Sequence, residues 1–394
     1  MRTVTDEERR SRLGVRHGLA PSTRYADPVA AATGLTALHT TEVASVPLSL
    51  RARVDGVTVD DVRGALERDR SLVVQLGMRR TLWTVPRDLR AAVLAGPAAR
   101  VAEAELRRLA KDVEEAGLAA DGLRWFAGVR DATLEHLAAH PEPLSVPQLR
   151  AAVPALSARV VRGTGRWTTP VWVATPVTTV LGARGDLVRG PNAGEWWQPR
   201  PTWTTTERWL GTPPPLPTAQ EGYAELVRRW LWTCGPGTED DLVWWLGSTR
   251  GAARAALAQV EAVEVRLEDG APAYLLPDDL EPVGAPERWA ALLPTLDPTT
   301  MGWRHREFHL ADGVRPGVYD SAGNGATTAW CDGRVVGCWV QDEAGVVEVV
   351  PLADVDRASR RLLDAEAGRL TRWLDGVRVT NAYTARQRKS APLP

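Results

Sequence analysis

The chain has 394 residues, 44% of them hydrophobic and 25% charged, with a formal net charge of -1 at pH 7. That length and mixture support about two to four ordinary domains with real cores and exclude a disordered chain. There is no run of about eighteen apolar residues and no apolar core in the opening "MRTVTDEERRSRLG", which argues against a membrane span or signal peptide, so a cytoplasmic location is expected.

The near-zero charge gives no global basic field, so any nucleic-acid contact must come from a local patch. Lys111 and Lys389 are the only lysines. Almost every cation is therefore an arginine, whose planar fork suits phosphate, although GC-rich coding produces the same bias. Cys234, Cys331 and Cys338 are odd in number and show no CxxC pairing, so they read as buried thiols and not as a disulfide framework or zinc site.

In chain order, the first notable stretch is "GLTALHTTEVASVPLSLRARV", from Gly34 to Val54. Ser45, Val46 and Pro47 start a short helix, since proline is tolerated in a first turn, and His39 to Glu42 form the loop entering it. "VTVDDVRGAL" follows, with Thr58 three residues before Asp61. The same hydroxyl-to-polar spacing recurs at Ser145 and Gln148 and at Thr238 and Asp241, about ninety residues apart each time. Each reads as a helix start with a capping box. Downstream of each lies an alternating segment with a tight turn, over 72–85, 187–199 and 263–276, which predicts a hairpin.

A capped helix, further helix and then a hairpin is the order of a winged helix-turn-helix, here repeated three times. "GTPPPLP" at 211–217 is a semi-rigid linker between the second and third modules. From about residue 288 to 354 short alternating runs around Asp332-Gly333 predict a small antiparallel sheet or barrel. "DRASRRLLDAEAGRLTRWLDG" then predicts a closing helix with Leu363, Ala367, Leu370 and Leu374 inside and Leu362 and Trp373 at the edges. The fold expected is α+β: three tandem winged helix-turn-helix modules over 1–118, 119–210 and 218–284, and a C-terminal antiparallel β-domain with its closing helix over 285–394.

The segments "GLTALHTTE", "RSLVVQLGMRRTLWTVPRDL", "CGPGTEDDLVWWLG", "LLPTLDPTTMGWRHR" and "CDGRVVGCWV" resemble, in order and approximate spacing, the winged-helix DNA glycosylases of the AlkZ type. The resemblance implies a concave DNA-binding face and hydrolysis of the N-glycosidic bond of bulky or N-alkylated purines, in some members including crosslinks. Characterised members carry Gln-x-Gln or Gln-x-Asp in the first module. The corresponding positions here are His39 and Thr41, followed by Glu42.

A purine alkylated at N7 already carries positive charge and leaves without a strong general acid. What remains is to stabilise an oxocarbenium-like sugar and to hold a water near its anomeric carbon. A neutral His39 could take that water's proton, an effect of roughly 10²- to 10⁴-fold in comparable catalysis. Thr41 would complete the water site, and Glu42 would offset the developing cation. The competing reading makes these three ordinary loop and capping residues in a regulatory DNA-binding protein that hydrolyses nothing.

Arg51 and Arg53 beside that loop, Arg79 and Arg80 at the first hairpin turn, and Arg304 with Arg306 are candidate phosphate contacts. Trp196 and Trp197 at the second hairpin are candidate wedges or stacking surfaces. His136 with His140, and His305 with His309, sit four apart, yet no further ligand completes either pair and "HREFH" places its glutamate one position later than HExxH. Neither metal nor cofactor is expected. The expected partner is damaged double-stranded DNA, with no membrane and no obligate protein partner. No lysine falls in the loop from His39 to Glu42, so strand cleavage through a Schiff base is not expected.

Overall fold

The structure, a computed structural model, describes residues 1–163 and 168–379. The chain opens with strand β1 (Thr3–Val4) and helix α1 (Asp6–Arg16). Thr5 caps α1 by accepting the Glu8 N–H at 3.1 Å, and Asp6, Glu7 and Glu8 place negative charge on the positive end of the helix dipole. The first repeated unit then runs through α2 (Pro28–Gly34), β2 (Leu38–His39), α3 (Ser45–Arg51), α4 (Val59–Arg63) with a π-helical continuation at Gly64–Arg68, and the hairpin of β3 (Leu72–Leu76) and β4 (Leu82–Pro86). Its sheet has the order β2-β4-β3, so the short first strand pairs with the last.

The second unit is reached through α5 (Arg90–Val93) and α6 (Ala99–Glu115). It contains α7 (Gly122–Ala139), β5 (Leu144–Ser145), α8 (Val146–Ala152), a hairpin of β6 (Arg159–Arg162) and β7 (Thr169–Trp172), α9 (Ala174–Arg184), β8 (Leu187–Arg189) and β9 (Thr202–Thr205). The sheet order β5-β9-β8 repeats that of the first unit. Helix α10 (Thr206–Leu210) and the 211–217 linker lead to the third unit: α11 (Ala219–Cys234), α12 (Glu239–Leu246), α13 (Arg250–Gln259), β10 (Val263–Leu267) and β11 (Pro272–Leu275). A bridge from Gly237 to Tyr274 stands where the other units have their first strand, and β1 adds to the free side of β10 in parallel.

All three capping boxes form. Thr58, Ser145 and Thr238 each pair reciprocally with the polar residue three positions on. The second hairpin differs from the sequence expectation of 187–199, because its returning strand begins only at Thr202. The Asn192 side chain closes the intervening segment on itself, donating to the carbonyls of Gly194, Glu195 and Gln198 and accepting from the Arg200 N–H. The hairpin of β6 and β7 was not expected at all.

The C-terminal part is a four-stranded antiparallel sheet of β12 (Ala290–Leu293), β13 (Thr328–Cys331), β14 (Arg334–Gln341) and β15 (Val347–Pro351), in that order, with α14 (Arg315–Val318) in the long β12–β13 connection. Asp332 and Gly333 turn β13 into β14 with positive φ at both positions (46° and 82°), which an Asp-Gly pair tolerates. Helix α15 (Arg357–Leu374), capped by Asp356, lays Leu363, Ala367, Leu370 and Leu374 on this sheet, with Leu362 and Trp373 at the margin. One core joins the first unit, the third unit and the β12–β13 connection, whereas the second unit keeps a core of its own.

Candidate active site

His39 stands on β2 opposite Trp83 of β4, with its ring 4.7 Å from the indole, and is 4% exposed. Burial, and then the charge of Arg79, pull its pKa down from 6.5 to about 3. The imidazole is therefore neutral at any physiological pH. Its Nδ1 accepts the Thr41 backbone N–H at 3.4 Å. A neutral imidazole has one donor and one acceptor nitrogen, so this contact leaves the proton on Nε2. The ring thus offers a hydrogen-bond donor, as a glutamine amide does, and it is a poor proton acceptor. The sequence reading of His39 as a base that removes a proton from water changes accordingly.

Thr41 is exposed and Glu42 half-buried, and the Glu42 carbonyl accepts the Ser45 N–H as α3 begins. Helix α3 is clamped from the far side. The Ser45 hydroxyl donates to Thr295 O at 2.6 Å, and the Ser49 hydroxyl donates to the Asp297 carboxylate at 2.7 Å. The segment between β12 and β13 thereby fixes the helix that carries the His39 loop.

A row of aromatic and guanidinium groups leads away from His39. Trp83 meets Trp245 edge-on at 5.5 Å, and the Arg79 guanidinium lies 4.3 Å over Trp244 and 5.9 Å from Trp83. Arg306 lies 5.0 Å from the same indole, Trp244, and 4.3 Å from Tyr319. Arg79 adopts φ 53°, and the α12 C-cap Gly247 (φ 62°) approaches it so closely that a Cβ there would sit 2.9 Å from the Arg79 nitrogen. A side chain at 247 would push the hairpin off the third unit. Cation–π contacts of this kind contribute about 0.5–2 kcal/mol each, more when desolvated.

The candidate phosphate contacts divide. Arg80 is half exposed and pairs with Glu105 at 2.7 Å, and Arg304 is exposed, so both remain available at the surface. Arg51 is mostly covered and bound to Glu366 at 2.9 Å. Arg53 is a correction. It is fully buried, and its guanidinium donates to the Asp297 carboxylate at 2.6 and 2.8 Å, to the carbonyls of His17 and Ser49, and to Thr299 Oγ1, leaving no face for phosphate. Arg306 is a second correction: it is 2% exposed and spends its donors on the carbonyls of Trp303 and Gly323.

Trp196 and Trp197 are half-buried, 5.5 Å apart, and Trp196 packs edge-on against Trp373 of α15 at 5.4 Å. Their surroundings are an interface with the closing helix, not an open stacking face. His136 and His140 face each other at 4.5 Å, and among the described residues no group of three His, Cys, Asp or Glu could hold a metal ion. No described helix is long and apolar enough to cross a membrane.

Sequence reasoning missed the carboxylates that organise the site. Asp241, fully buried, accepts the N–H groups of Arg304 and His305 at 2.8 and 3.0 Å while its other oxygen closes the Thr238 capping box. It ties α12 to the segment that ends "MGWRHR". Its role in the cap was legible, but its second contact, 63 residues away, was not. Asp297 had no local signal beyond the proline that follows it.

The site thus brings a neutral imidazole on a strand together with a clamped helix and a set of arginines and indoles. A model of the family described as "DNA glycosylase AlkZ-like" matches residues 32–373, and the chain belongs to that family of DNA glycosylases. Among solved structures, the chain is similar to the Streptomyces sahachiroi DNA glycosylase AlkZ, at 20% sequence identity and a TM-score of 0.76, with 96% of this chain and 99% of that chain covered. No curated protein matches it.

Proposed function

We propose that this DNA glycosylase removes N7-alkylated purines from double-stranded DNA by water attack on the sugar, and that its three repeated units act as winged helices around the DNA. The observation that carries the reading is the neutral, buried His39 on β2, at the position where the family has its glutamine. In this reading Nε2–H of His39 and the Thr41 hydroxyl hold the water. The purine leaves with the electron pair of the glycosidic bond, which neutralises its own positive charge. The water oxygen then bonds to the anomeric carbon, and the proton it sheds passes to the Glu42 carboxylate or to solvent. Glu42 also offsets the positive charge that builds on the sugar. Arg80 and Arg304, both exposed, are the cations that would meet the phosphate backbone.

The test uses duplex DNA carrying a single N7-methylguanine, followed by mild alkali to cut abasic sites. The parent protein should give a strand break at the lesion and none in unmodified DNA. His39→Gln should retain excision within about tenfold, because it preserves a donor, whereas His39→Ala should lose about a hundredfold or more. Excision by His39→Ala at the parent rate would remove His39 from the reaction.

A further inference from the structure

Behind the first sheet, on the face opposite His39, lies a cavity of about 120 Å³. Successive strand residues point to opposite faces, which is why Thr40 lines it while His39 lies against Trp83. Val46, Val62, Leu66 and Val74 wall it from the first unit, and Arg189 and Trp196 wall it from the second. The chamber is chiefly apolar, and its charged lining consists of Arg63 and Glu67, partly exposed and 3.9 Å from each other, and Arg189. Nε and Nη1 of Arg189 are buried without a hydrogen-bond partner, and the guanidinium rests 3.9 Å over the Trp203 ring. Burial pulls its pKa down to about 10. A buried charge without a counter-charge is costly, and an anion entering the cavity would relieve that cost.

The other polar walls are already occupied. The hydroxyls of Thr40 and Thr84 bond to each other at 2.8 Å, and the Asn192 amide is spent on its own loop. Arg63 is paired with Glu67, so a phosphate, which needs several donors and carries more negative charge toward that carboxylate, finds Arg189 as the one lining cation without a charge partner. A carboxylate is matched by a guanidinium. An engineered apolar cavity of about 150 Å³ holds benzene, so this smaller chamber limits the apolar body to a single ring. We propose that the cavity is a binding site for a small aromatic carboxylic acid, its ring among Val46, Val62, Leu66 and Val74 and its carboxylate on Arg189. Because its walls belong to two units, an occupant would bear on how the first unit sits against the second.

The test takes the full chain with benzoate as probe and benzyl alcohol as the uncharged control, read by calorimetric titration and thermal melting. Benzoate should bind saturably and raise the melting temperature, and benzyl alcohol should do so at least tenfold less tightly. Arg189→Met should lose benzoate affinity at least tenfold while melting no lower than the parent, since an uncompensated buried charge has gone. Leu66→Trp, which fills the chamber and keeps the arginine, should lose binding as well. No saturable benzoate binding, equal binding by either variant, or a lower melting temperature for unliganded Arg189→Met would each overturn the proposal, the last by making Arg189 a structural residue.

Discussion

Lowering the pH from 7 to 5 should weaken the fold by an amount set chiefly by buried histidines, and His39 accounts for a measurable share. His39 and His17 are each held neutral by burial, with pKa values near 3 in the fold. His309, also fully buried, is shifted in the same direction. An unfolded histidine titrates near 6.5. Because the folded pKa is the lower one, the unfolded chain takes up the extra proton. The stability from each ring is therefore fully present above about pH 6.5 and is lost as pH falls toward 3. At pH 5 each ring with a pKa near 3 costs about 2 kcal/mol, and below about pH 6 each adds roughly 1.4 kcal/mol per pH unit to the slope. His17 and His39 together then remove about 4 kcal/mol, a large part of an ordinary 5–15 kcal/mol of stability. Urea unfolding of the parent and His39→Gln at about pH 6 and pH 5 isolates one share: the variant should lose roughly 1.2 kcal/mol less over that unit. Parallel losses in the two proteins would show that His39 titrates normally, and the neutral-imidazole account of the site would fail with it.

Removing the guanidinium at Arg53→Met strands the buried Asp297 carboxylate and should cost about 3–5 kcal/mol of stability in thermal or chemical unfolding; a variant as stable as the parent but weaker on DNA would return Arg53 to the interface. Replacing Arg79 and Arg80 together by alanine should weaken binding on all sequences and lower the log-log salt slope by about one to two units. An unchanged slope would take the first hairpin out of the DNA contact. Borohydride added during turnover should trap no protein–DNA adduct, because Lys111 is 73% exposed and paired with Glu115 at 3.6 Å on α6, and Lys389 lies outside the described residues. An adduct lost on replacing Lys111 would mean that the reacting sugar does not sit beside His39.

Local signals carried the helices and the turns. The capping boxes at Thr58, Ser145 and Thr238 and the Asp332-Gly333 turn depend on residues within three positions of one another, so they could be read directly. The inner face of α15 followed from its period. The second hairpin was misplaced because its length is set by Asn192 bonding four backbone groups, a pattern with no short-range signature. The site was legible only in part. His39 stood out, but its proton position depends on the Thr41 N–H and its neutrality on burial by Trp83 and other neighbours. The arginines were harder still, since Arg53 and Arg304 look alike in sequence and differ only in whether a distant carboxylate such as Asp297 waits inside the fold. Arg51 was likewise claimed by Glu366, 315 residues on.

The pairing of β1 with β10 bears on how the chain is made. Thr3 and Val4 lie beside Arg266 and Leu267, and Arg12 and Arg16 of α1 both bind the buried Asp279. Arg12 and Asp279 are separated by 267 residues. At about 5–20 residues per second, the ribosome finishes the partner roughly 13 to 53 s after the arginine has been added. For that interval the contacts with β10 and Asp279 cannot form, and Val4, buried in the finished protein among Val265, Leu267, Ala273 and Leu275, stays in water. This early segment thus completes its contacts only after residue 279 has been made, and a nascent-chain chaperone would find a long-lived target there.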